Sequence, residues 1–169
     1  RRIGVLTAVA VLAALVPTLA VSTASAAPLT TAASPTNSST YLACPASASI
    51  PSAGFTDTTS TDVDCIAYYG ITTGVTATTY EPTASVPRWQ MALYLTRTAS
   101  KAGITLGSGA DQGFTDITGK SAEIQTAINQ LKQLGVTNGT TATTYSPDDN
   151  VTREQMAMFL ERLLAMTPF

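Results

Sequence analysis

Residues 85–99, SVPRWQMALYLTRTA, are nearly rewritten at 150–164 as NVTREQMAMFLERLL. The likeness extends upstream, where YGITTGVTATTYEP (69–82) aligns with LGVTNGTTATTYSP (134–147) at the same offset of 65. Further back, GFTDTT at 54 returns as GFTDIT at 113, an offset of 59, so the second copy carries six extra residues between its Phe-Thr-Asp and its glycine. One unit therefore occurs twice, and each copy has to form the same supersecondary element.

That element reads as helix, loop, helix. In the second copy Ile124, Ala127, Ile128, Leu131 and Leu134 recur at three- and four-residue steps, an apolar stripe along one helical face. Ser121 suits the N-cap, and Gly135 stands where a left-handed residue would close the helix. The first copy compresses the pattern to Val63, Ile66 and Tyr69, closing at Gly70. The loops GVTATTYEP and GTTATTYSP each bring a tyrosine, Tyr80 or Tyr145, to plug the core beneath a second helix. That helix carries Met156, Phe159, Leu160, Leu163 and Leu164 in the second copy and Met91, Tyr94 and Leu95 in the first. Methionine at these spacings fills core. The expected fold is all-α, a tandem of helix-loop-helix repeats.

Residues 1–26 read as a signal peptide: Arg1 and Arg2, an apolar run, Pro17 near its end, and Ala24-Ser25-Ala26 as a small-x-small cleavage site. An uncleaved leader would be the chain's only route into a membrane. Residues 27–43 are Ala, Thr, Ser and Pro with few large apolar groups, the composition of a flexible tether. The repeats then divide at 44–103 and 104–169. Without the leader the chain holds 7 basic and 11 acidic residues, net −4, which argues against nucleic acid as a partner. No histidine is present, which removes the usual general base and the commonest metal ligand. Cys44 and Cys65, an even pair in an exported chain, read as a disulfide tying the short first helix to the tether. Two thiols without histidine are too few to hold zinc. No metal or cofactor is expected.

The arginine that opens each second helix needs its own explanation. TREQ (152–155) fits a capping box, with Thr152 accepting from residue 155 and the Gln155 side chain reaching back. The box says nothing about Arg153, whose charge faces the positive end of the helix dipole. Arg88 repeats the choice, although Pro87 replaces the threonine. Cap and arginine are thus uncoupled, which suggests an outside anion met by a planar guanidinium fork. Trp89 offers a flat face for a sugar ring, or equally for burial between the units.

Phe-x-Asp, short helix, Gly-Ile/Val, glycine, aromatic-x-Pro, an arginine and an apolar helix, in that order and twice, resembles the S-layer homology domain over about 54–99 and 113–165. The resemblance implies a non-catalytic module that attaches exported proteins to the bacterial envelope, its repeats packing as a pseudo-trimer, here a partial one. It also implies grooves that bind acidic, often pyruvylated, cell-wall polysaccharide through a Thr-Arg-Ala-Glu motif. Carried over, that motif falls on Thr152, Arg153, Glu154 and Gln155, and more loosely on Pro87, Arg88, Trp89 and Gln90. Gly74 and Gly139 match a loop glycine that lets ligand approach the backbone. Gln155 and Gln90 stand where the family has glutamate, and two repeats stand where three are usual.

The expected location is the cell wall or cell surface. Two alternatives remain open: a self-assembling interaction module forming homo-oligomers, and the anchor of a larger secreted enzyme. No nucleophile with its base stands out, and Asp62/Asp64 and Asp148/Asp149 suit helix and loop starts rather than acid–base work.

Overall fold

The computed structural model describes Cys44 and residues 50–166. The expected leader and tether lie outside the described residues. Within them run four helices, α1 (Thr61–Tyr68), α2 (Arg88–Lys101), α3 (Ala122–Gln133) and α4 (Arg153–Leu164). There is no strand among them beyond one antiparallel bridge between Pro87 and Asn150. The all-α expectation holds, with α1–α2 in the first unit and α3–α4 in the second.

Local chemistry sets the helix ends. Ser121 accepts from Ile124 N–H at the start of α3, and Thr152 and Gln155 close a full capping box on α4. Gly70 and Gly135 follow α1 and α3 at φ 68° and 75°, a left-handed conformation that costs a residue with Cβ far more than glycine. The next residue in each case donates back into the last turn, Ile71 to Ile66 at 2.8 Å and Val136 to Leu131 at 2.9 Å.

The eight-residue α1 has no side-chain cap and is too short to persist alone. Two ties hold it. Asp64 accepts from the Ala53 N–H at 2.8 Å, and Cys65 is bonded to Cys44, with the Cα atoms 5.9 Å apart.

The loop between the helices is clamped alike in both units. Asp57 accepts from the N–H groups of Tyr80 (2.9 Å) and Glu81 (2.7 Å), and Asp116 from those of Tyr145 (2.9 Å) and Ser146 (2.7 Å). Each clamp holds the residue after its tyrosine at positive φ, 58° for Glu81 and 56° for Ser146. Neither is glycine, so the carboxylate bonds offset a strained backbone. These bonds also hold the exposed Asp57 carboxyl below its usual range, chiefly through the Tyr80 and Glu81 amides.

Both units contribute to one core. Met91, Ala92, Leu95 and Ala99 of α2 pack with Phe114, Ile128, Leu131, Val136, Tyr145 and Phe159 of the second unit. Full burial of a side chain such as Ile128 or Leu131 stabilises by about 1.5–3 kcal/mol. Two stripe positions depart from expectation: Leu160 and Leu164 are 51% and 56% exposed. Their counterparts Leu95 and Ala99 are buried because α3 packs against α2. No described helix packs on α4 in that way. Tyr80 likewise is only half-buried, whereas Tyr145 is fully enclosed.

Candidate functional site

The junction between the units is built at the start of α2. With Pro87 as N-cap and no side chain to cap it, the first turn borrows acceptors from the second unit. Arg88 N–H donates to the Asp149 carbonyl and Trp89 N–H to that of Pro147, both at 2.9 Å. The backbone donors expected to be open for an anion here are therefore taken.

The Arg88 side chain follows its backbone into the second unit and is 3% exposed. Its Nε donates to the Tyr145 carbonyl at 2.8 Å and its Nη1 to Gln155 Oε1 at 3.3 Å. The guanidinium carbon lies 4.6 Å from the Tyr145 ring centroid and 5.4 Å from that of Phe159, within cation–π range. Tyr145 answers by donating its hydroxyl to the Arg88 carbonyl at 3.0 Å. Burial pushes the Tyr145 phenol up to about 12, against the opposing pull of Arg88. Among the described residues no carboxylate pairs with this buried cation.

Two clefts lie at equivalent places. The second-unit cleft, about 420 Å³, is lined by Arg88, Asn138, Gly139, Gln155, Phe159 and Arg162 among others. Its lining among the described residues contains two guanidinium groups and no carboxylate. The first-unit cleft, about 500 Å³, is lined by the counterparts Gly74, Gln90, Tyr94 and Arg97, together with Trp89, and adds Glu81 and Glu123. Arg97 there is paired with Glu123 at 2.7 Å, and no arginine occupies the place that Arg88 takes in the other cleft.

Of the residues singled out from sequence, Arg88, Gln155 and Gly139 are brought together in the second cleft, and Trp89, Gln90 and Gly74 in the first. Thr152, Arg153 and Glu154 are exposed and line neither. Arg88 thus lies in its neighbour's cleft rather than its own unit's. The glycines serve packing: a Cβ at Gly74 would strike the Phe55 ring, and one at Gly139 the Phe114 ring. Sequence reasoning missed Arg97 and Arg162. Their Nη1 atoms donate to the carbonyls of Ile71 and Val136, each at 3.1 Å, tying the second helix of each unit to the end of the first. Their recurrence at the repeat offset was the available signal.

A duplicated helix-loop-helix with a cleft at each copy defines a tandem-repeat helical module. Residues 113–157 match the family model of the S-layer homology domain. Those residues are similar to a domain that is itself a non-catalytic cell-surface anchoring module, and the likeness points to the cell surface or the outside of the cell. The chain is also 38% identical over 94 residues to an endoglucanase of Bacillus sp. (strain KSM-635), a match covering 54% of this chain and 9% of that relative. No helix among the described residues is long and apolar enough to cross a membrane, and no group of potential metal ligands occurs among them.

Proposed function

We propose that the module anchors its protein by binding an acidic cell-wall polysaccharide, of which a pyruvylated sugar is one form, in the second-unit cleft. The observation that carries this reading is the pair Arg88 and Arg162 in a cleft with no carboxylate among the described residues that line it. A buried guanidinium with no counter-charge gains most from an anion that reaches it, because low dielectric strengthens the pairing. Lys132 adds positive charge close by, its Nζ donating to the Asn138 carbonyl at 3.3 Å. Asn138, Thr140 and Gln155 supply neutral partners for sugar hydroxyls. The first cleft offers Trp89 as a stacking face, but Glu81 and Glu123 would repel an anionic sugar. The match to a small part of an endoglucanase supports a role as the attachment of a larger enzyme.

Retention on purified envelope sacculi tests the reading. Arg162→Ala is expected to lower retention at least tenfold and Arg97→Ala to leave it within twofold, with sacculi stripped of non-peptidoglycan polymer retaining neither form. Equal retention by both variants removes the second-unit cleft from the function.

A further inference from the structure

The junction inside the chain is a knob in a seat, and the chain carries a second knob and a second seat that do not meet. The filled seat consists of the Tyr145 ring and carbonyl, Phe159 and Gln155, with Arg88 as the knob. At the repeat offset, the same positions in the first unit are Tyr80, Tyr94 and Gln90; all three line the first cleft, and among the described residues no guanidinium stacks over the two rings. Tyr80 and Tyr94 are half-buried there, where Tyr145 and Phe159 are sealed. Burial first, and then the neighbouring Tyr94, push the Tyr80 phenol up.

Arg153 is the counterpart of Arg88. It is exposed, and among the described residues its side chain makes no hydrogen bond, ion pair or ring contact. The backbone repeats the mismatch. Arg153 and Glu154 N–H correspond to the donors of Arg88 and Trp89, and the carbonyls of Pro82 and Ala84 correspond to those of Pro147 and Asp149. Among the described residues neither the two donors nor the two acceptors are engaged. Charge favours their meeting, since Glu81 stands in the first cleft where the second has Ser146 nearby. Leu160, two turns further along α4, is 51% exposed.

We propose that a second copy of this chain completes the first cleft: Arg153 of one molecule seats over Tyr80 and Tyr94 of the next, donating to the Tyr80 carbonyl and Gln90, with Glu81 as its counter-charge. The contact is head-to-tail, so it propagates or closes into a ring rather than stopping at a symmetric pair. Asp62 on α1 stands at the repeat position of Ala127 on α3, so the apolar part of the contact is smaller than inside the chain, and association is weak and concentration-dependent.

Sedimentation of the full chain without glycan, over a wide concentration range, reads this directly. The parent is expected to sediment faster as concentration rises. Arg153→Ala (knob lost) and Glu81→Lys (seat blocked) should each lower the association constant at least tenfold, with unchanged circular dichroism. Mixed in equal amounts, the two variants should recover a one-to-one dimer and nothing larger, because one intact knob then meets one intact seat. A parent that stays monomeric, a single variant that associates like the parent, or a mixture that stays monomeric each overturns the proposal. Glu81→Lys also separates this proposal from the anchoring reading. Below the association range it should be held on sacculi like the parent, while loss of anchoring is read on Arg162→Ala.

Discussion

The two units share bonds but not burial. Phe114, Tyr145 and Phe159 of the second unit are 3%, 0% and 1% exposed, whereas their counterparts Phe55, Tyr80 and Tyr94 remain partly open. Their ring pairs keep the same spacing, 5.8 Å between centroids in each unit. The difference is who stands next door. The second unit receives α2 and Arg88 from the first, and α3 has a turn more than α1. The first unit receives a disulfide instead. One sequence pattern therefore yields a sealed core when a neighbour covers it and an open cleft when none does.

Truncating the two tyrosines should break the comparison most strongly. Tyr145→Ala removes a fully enclosed ring, and a loss of about 3–5 kcal/mol in denaturant unfolding is expected. Tyr80→Ala should cost about half that. Equal losses would mean that the first cleft is as closed as the second.

Removing the disulfide comes next. Cys44→Ala with Cys65→Ala opens a loop of sequence separation 21 and should cost about 3 kcal/mol in the chain-entropy model. Hydrogen exchange should accelerate in α1 well before α3, since only α1 depends on the tie. Uniform acceleration would show that the two units unfold as one.

Gln155→Glu sharpens the contrast from the other side. A carboxylate 3.3 Å from Arg88 Nη1 makes that bond charge-assisted and should add about 1 kcal/mol. The same change places a negative charge in the anion cleft, so polymer retention should fall as stability rises. Gln90→Glu in the first cleft meets no counterpart of Arg88, Arg97 there being paired with Glu123, and should leave stability within about 0.5 kcal/mol.

The smallest effects are in pH. Tyr145 is held neutral up to about 12 against about 10 in the unfolded chain, so stability is whole below pH ~10 and falls as pH rises between those values. Asp57 is shifted the other way. Its contribution is present above pH ~4 and is lost on acidification, loosening the 80–81 turn. Tyrosine absorbance and amide exchange follow the two limits separately.

Much of this was legible in the chain. Repeat offsets, caps at Ser121 and Thr152, closing glycines at 70 and 135, the α3 stripe and the Cys44–Cys65 bond all depend on contacts within a few residues or on pairing rules that need no coordinates. The position of Arg88 was not legible. As the first residue of α2 it reads as exposed, and only the approach of residues 147–150 turns its side chain into the second unit. Arg162 was hidden for a related reason: its acceptor is a loop carbonyl 26 positions earlier.

By itself the sequence determined that one helix-loop-helix would form twice, because caps, turns and apolar periodicity act locally and act alike on both copies. The tertiary structure alone decided that the copies would differ in use. Burial and cleft electrostatics depend on what packs alongside, so Arg88 is enclosed, Arg153 is exposed, and one cleft is cationic while the other carries two glutamates.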